Sequence, residues 1–197
     1  MGTHFRILVD RTASAKDAPA LAGTVMNYLI RRRIIECERS DCTLGDKGGF
    51  RPGANVEEAL ASWAARGDEA GPLSAAVIAN DLRGYACNGV EEVVGRTVFH
   101  NQGAGLDVVR CPLCLANQLE EDWGDAVGRW YDGDDCAPLP CRHCNESSPI
   151  VEWTFDPPWA FGNLGFKFWE WPPLKRRFVD EIKGLLGHEI VMISGKV

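Results

Sequence analysis

Two C-x-x-C knuckles, Cys111-Pro112-Leu113-Cys114 and Cys141-Arg142-His143-Cys144, constrain this chain more than any other feature, and 26 residues lie between them. Each tight turn lets two thiolates reach one ion, and four thiolates complete a tetrahedron. The spacing points to a structural Zn2+ site with Cys111, Cys114, Cys141 and Cys144 as ligands. With four sulfurs bound, no position remains for water, so the ion stabilises the fold and supplies no Lewis-acid chemistry. His143 is an alternative ligand but reads as a surface residue beside the site. The competing reading is thiol redox chemistry at Cys111 and Cys114, because a strand precedes that knuckle and a helix is expected after it. A second knuckle is surplus to that chemistry.

The chain has eight cysteines, an even number that suggests disulfides in a secreted protein. Its start, Met1 to Arg6, carries neither the basic segment nor the apolar stretch of a secretory signal. No apolar run approaches the roughly 20 residues of a membrane span. The expectation is a cytoplasmic protein that does not engage membranes, in which Cys37, Cys42, Cys87 and Cys136 are buried free thiols.

A chain of 197 residues suits one domain with a small insertion. The expected class is α+β: a single domain over 1–197 with a zinc-ribbon module inserted over 90–155. A strand over His4 to Val9, a helix starting near Asp17 and Pro19, and an extended segment over Ile34 to Glu38 open the chain. An aromatic strand over Leu164 to Trp171, a helix over Leu174 to Leu186 and a strand over Glu189 to Ile193 close it. These βαβ-like halves suggest a ferredoxin-like sandwich. Between them, Asn55 is placed to cap a helix through Ala64, and Gly67 to Gly71 reads as a polar break. Val90 to Phe99 and Leu106 to Arg110 read as a hairpin, Leu119 to Tyr131 as a helix, and Ile150 to Phe155 as a strand.

Motifs for other chemistry are missing. The Gly-rich stretch Thr43 to Gly53 has no phosphate-loop or dinucleotide spacing. His4, His100, His143 and His188 form no H-E-x-x-H pair, and no G-x-S-x-G occurs. The sequence therefore reads as non-enzymatic.

The net charge of −7 disfavours general affinity for nucleic acid and suits a basic partner. Glu120, Glu121, Asp122, Asp125, Asp132, Asp134 and Asp135 concentrate acid between the knuckles against one base, Arg129. Held by zinc, this array is a candidate surface for a basic protein; alternatively it is a solvated helix face. The aromatic segment Trp153 to Trp171 suits core or interface packing better than base stacking, since only Lys167 interleaves a positive charge. Phe166 and Phe168 are expected on one face of its strand, and Trp169 and Trp171 on the other.

The motifs Gly95-Arg96-Thr97-Val98-Phe99-His100, the two knuckles and Trp159-Ala160-Phe161-Gly162-Asn163-Leu164-Gly165-Phe166 resemble an uncharacterised family of bacterial proteins of similar length. The resemblance covers most of the chain. Members often carry an ABC-transporter ATPase label, which the lack of a Walker motif contradicts here, and some look like immunity proteins paired with secreted toxins. Only the four cysteines carry over, as zinc ligands. The leading expectation is an immunity protein that occludes a cognate basic, nuclease-like toxin. The alternative is a zinc-ribbon nucleic-acid-binding regulator using Arg31, Arg32, Arg33, Lys175, Arg176 and Arg177.

Overall fold

The computed structural model of the protein describes residues 2–61, 74–102, 105–120 and 122–197. The elements in chain order are β1 (His4–Asp10), α1 (Ala18–Arg31), β2 (Ile35–Ser40), β3 (Gly49–Pro52), α2 (Ala75–Gly84), β4 (Val90–Phe99), β5 (Val108–Arg110), α3 (Gly124–Tyr131), β6 (Pro138–Pro140), β7 (Ser147–Pro149), β8 (Thr154–Asp156), β9 (Ala160–Trp169), α4 (Arg176–Leu186) and β10 (Ile190–Lys196). The class is α+β, and every strand pairing is antiparallel.

Six strands form one sheet in the order β10-β1-β9-β4-β3-β2. Strand β9 lies near its centre because nearly all its side chains are apolar and buried. Leu164, Phe166 and Phe168 point to the helical side, where Val25 and Leu29 of α1, Leu82 of α2, and Phe178 and Ile182 of α4 close over them. Each fully buried side chain of this size contributes about 1.5–3 kcal/mol. On the other face Phe5, Ile7, Val9, Phe99, Trp169 and Ile193 form a second, smaller cluster. Lys167 is buried there, its Nζ 3.9 Å from the Trp169 ring centroid and 4.4 Å from that of Phe5, while Trp169 Nε1 donates to Glu91 at 3.1 Å. Lys167 is thus enclosed by rings and does not present its charge to a nucleic acid.

The two crossovers differ. Helix α4 carries the chain from β9 to β10, which run the same way on either side of β1, and ends at Gly187 in the left-handed conformation (φ 70°). Helix α1 carries it from β1 to β2 at the far edge, across β9, β4 and β3.

Several local expectations are corrected. Val90 to Phe99 and the segment ending at Arg110 are not a hairpin, because β4 pairs with β9 and β3 whereas β5 pairs with β8. Helix α3 starts at Gly124, not Leu119, and the Trp123 indole N–H is already committed to the Leu119 carbonyl at 3.2 Å. Asn55 does not cap a long helix: its side chain donates to the Arg32 carbonyl at 3.0 Å, and a single 3-10 turn follows over Val56–Glu58. The remainder of that helix, 62–64, and the break at 67–71 lie outside the described residues. Ile150 to Glu152 is another 3-10 turn, with only Thr154–Asp156 extended. Trp171 joins the helical-side core, its ring 5.1 Å from that of Phe168, because Glu170 at φ 56° turns the chain after β9.

Candidate metal centre

The chain leaves the sheet after Phe99 and re-enters at Ala160. The expected module boundary at residue 90 therefore falls on a strand of the central sheet, and the excursion itself spans 100–159. It carries two short ladders, β5 with β8 and β6 with β7, together with α3. These pack around Val109, Trp130, Leu139, Ile150 and Phe155, and Phe161 of β9 contributes from the sheet. Arg96 of β4 fastens this unit to the sheet: its guanidinium lies 4.0 Å from the Trp130 ring centroid, its Nε donates to the Trp130 carbonyl, and its Nη1 meets Asp135 at 2.6 Å.

The two knuckles follow β5 and β6 and share one backbone design. The N–H of Leu115 donates to the Cys111 carbonyl at 3.1 Å, and that of Asn145 to the Cys141 carbonyl at 2.8 Å. Leu115 and Asn145 are both left-handed, at φ 63° and 60°. The N–H of Cys111 then donates to the Ala116 carbonyl at 3.0 Å, as that of Cys141 does to Glu146 at 2.8 Å. Each turn thereby projects two sulfurs toward one point.

All four Sγ atoms of Cys111, Cys114, Cys141 and Cys144 lie within 4.8 Å of one another, with Cys114 and Cys141 3.5 Å apart. Sulfurs bound at about 2.3 Å in a tetrahedron stand about 3.8 Å apart, so the set fits an ion of zinc's size. A disulfide needs about 2.05 Å. Among the described residues His143 does not join the group; it is exposed on its knuckle. Cys111 and Cys141 are buried, whereas Cys114 is exposed and Cys144 half-buried.

The thiols are electrostatically unequal. Burial opposes charge on Cys141, but the N–H groups of Cys144 and His143 and the thiols of Cys114 and Cys111 outweigh it and pull Cys141 down to about 6. At Cys114 the Ala116 N–H favours the thiolate, yet burial and the neighbouring sulfurs push it up to about 12. Cys141 thus favours the thiolate, whereas Cys114 and Cys144 resist it, as expected of clustered like charges. A divalent cation removes that repulsion.

Gln118 connects the knuckles. It is buried, its Oε1 accepts the backbone N–H of Arg142 at 2.6 Å, and its Nε2 donates to the Pro140 carbonyl at 3.3 Å. Nothing in the C-x-x-C spacing pointed to it; the only signal was a polar residue four positions after Cys114.

Of the acidic run, Glu120, Asp122, Asp125, Asp132 and Asp135 are exposed, and Glu121 lies outside the described residues. Asp134 is half-buried, accepting from Arg129 at 2.7 Å and from the Cys136 N–H at 3.1 Å. Asp135 meets Arg96, so a base distant in sequence also faces the run. Of the other cysteines, Cys42 is buried and Cys87 half-buried, but Cys37 and Cys136 are exposed, which corrects the expectation of burial for both.

Of the two basic triplets, Arg32 and Arg177 share the carboxylate of Glu181. Arg32 pairs with Glu58 and lies 3.8 Å from Glu181, which also takes Arg177 at 3.0 Å; Arg176 is 4.0 Å from Asp180. Lys175 donates to the Glu57 carbonyl at 2.7 Å. Paired in this way, Arg32, Arg176 and Arg177 offer phosphates less free charge than their sequence suggests.

His188 has a partner that the sequence did not reveal. Its Nδ1 lies 2.7 Å from Oδ2 of the fully buried Asp10, whose Oδ1 accepts from Thr12 N, Thr12 Oγ1 and Ala13 N at 2.9–3.0 Å. Burial alone raises the Asp10 carboxyl, but the hydrogen bonds from His188, Thr12 and Ala13 hold it below its ordinary value.

No protein-family model, no curated protein and no solved structure matches this chain. No helix among the described residues is long and apolar enough to cross a membrane.

Proposed function

We propose that the protein is a cytoplasmic, non-enzymatic interaction protein whose zinc-bound cysteine module presents an acidic surface to a basic protein partner. The observation that carries this reading is the placement of Glu120, Asp122, Asp125, Asp132 and Asp135, all exposed, on the unit that the four cysteines tie together. Zinc is the ion of choice for four thiolates at this spacing, and its binding free energy is spent on folding the module. In fold terms the reading goes with a ferredoxin-like core of β10-β1-β9-β4, extended at one edge by β3 and β2.

The resemblance carried by the knuckles and by Trp159 to Phe166 adds the biological role: an immunity protein that occludes a cationic, nuclease-like toxin. Charge complementarity accelerates encounter and penalises wrong partners. Reversing Glu120, Asp122, Asp125 and Asp132 to lysine and measuring binding to a basic toxin that co-purifies with the protein tests it. Association is expected to slow at least tenfold and to lose most of its salt dependence; unchanged kinetics sink the surface assignment. Nucleic acid is the competing ligand, and salt-sensitive binding of the unaltered protein to DNA or RNA would favour it.

A further inference from the structure

A cavity of about 370 Å³ opens between α2, the β1–β10 pair and the chain just after β9, and no residue of the cysteine module lines it. Its walls include Ile78 and Leu82 of α2 and Trp171, whose indole N–H is anchored on the Asn88 carbonyl at 2.8 Å. Arg6 of β1 also lines it.

The bonding of Arg6 is incomplete for a half-buried cation. Its Nε donates to the Trp171 carbonyl at 3.2 Å and its Nη1 to Ser194 Oγ at 3.0 Å, both neutral acceptors. Among the described residues no carboxylate forms an ion pair with it, although Asp81 and Glu170 line the same cavity. Glu170 is engaged instead by the His4 backbone N–H at 2.8 Å. Burial lowers the Arg6 pKa, as expected of a cation partly removed from water. A guanidinium has five donors in a planar fork suited to a carboxylate, and Nε and Nη1 make the two contacts that the fold supplies.

We propose that this cavity binds a small molecule with an apolar body and one carboxylate, the body against Ile78, Leu82 and Trp171 and the carboxylate on the Arg6 guanidinium. The volume falls within the roughly 300–1,000 Å³ of small-ligand sites, which combine apolar walls with a few placed polar groups. A bare inorganic anion leaves those walls unused, and an amine leaves Arg6 unpaired.

The test is an NMR titration of the full, zinc-loaded chain with sodium octanoate, set against 1-octanol, octylammonium and sodium acetate. Octanoate is expected to give saturable shifts at the Ile78 and Leu82 amides and the Trp171 indole. Octanol and octylammonium should bind at least tenfold more weakly, and acetate should give no saturable shift. Arg6→Gln should weaken octanoate at least tenfold and leave octanol unchanged. Equal binding of octanol and octanoate, or no saturable octanoate shift at these residues, overturns the proposal. The comparison of ligands on the unaltered protein decides the matter even where Arg6→Gln folds poorly.

Discussion

The Gln118 side-chain carbonyl receives the Arg142 backbone N–H at 2.6 Å, so a residue just past the first knuckle holds the second knuckle in register. Removing that acceptor strands an N–H beside the four clustered cysteines. Gln118→Ala is expected to cost about 1–3 kcal/mol of stability. It should also weaken zinc affinity about 10- to 100-fold, the usual effect of losing a partner that orients ligands. Denaturant titration and competition with a chromophoric chelator measure the two effects. Unaltered metal affinity would remove Gln118 from the centre.

Leu115 and Asn145 occupy equivalent left-handed positions, but only asparagine tolerates that conformation well. Leu115 is 67% exposed and gives up little packing when replaced. Leu115→Asn is therefore expected to stabilise the protein by about 0.5–1 kcal/mol, and Asn145→Leu to destabilise it by about 1–2 kcal/mol. The opposite signs at matched sites are the check, read as shifts in the denaturant midpoint.

Metal removal should act regionally. Cys111 and Cys141 belong to the module's own core, whereas the central sheet is covered by separate clusters on its two faces. Stripping zinc with a strong chelator is expected to abolish amide-exchange protection in α3, β6 and β7 while β1, β9 and β10 keep theirs. Metal analysis of the untreated chain should find one zinc per molecule.

The Asp10–His188 contact sets an acid-side dependence. Because the folded Asp10 carboxyl lies below its unfolded value, its contribution is fully present above the unfolded value of about 3.9 and is lost as pH falls through the lower folded one. Asp10→Asn should flatten the rise of stability with pH in that window. It should also cost about 1.5–3 kcal/mol near neutrality, where hydrogen bonds to a charged acceptor are lost. Stability curves of both proteins from pH 2 to 7 test it; parallel curves would show that Asp10 does not titrate as its bonding requires.

The cysteine cluster was legible because a C-x-x-C turn is local: the motif specifies its own backbone, and two copies leave little choice of partner. The strands over Val90–Phe99 and His4–Asp10 were legible for the same reason, since β-rich apolar runs carry their state in neighbouring residues. Pairing was not. Whether β4 turns back on β5 or spans to β9 is settled by burial on both sides of β9, where Phe166 and Phe168 fill one face and Trp169 the other. Leu119 and Trp123 have helical spacing yet precede α3, because Leu119 packs against the module core and Trp123 against Phe155. Gln118, Arg6 and Asp10 carry no local sequence signal because their contacts lie with partners 24, 188 and 178 positions away.

Phe99 and Ala160 face each other across the ladder at the point where the chain departs and returns. Exit and entry are thus a single strand spacing apart, about 4.8 Å, a gap that a short tight turn closes. The long hairpin of β4 and β9 is in effect a stem for the sixty residues hung on it, which are rooted through Arg96 and Phe161 as well as tethered at their two ends.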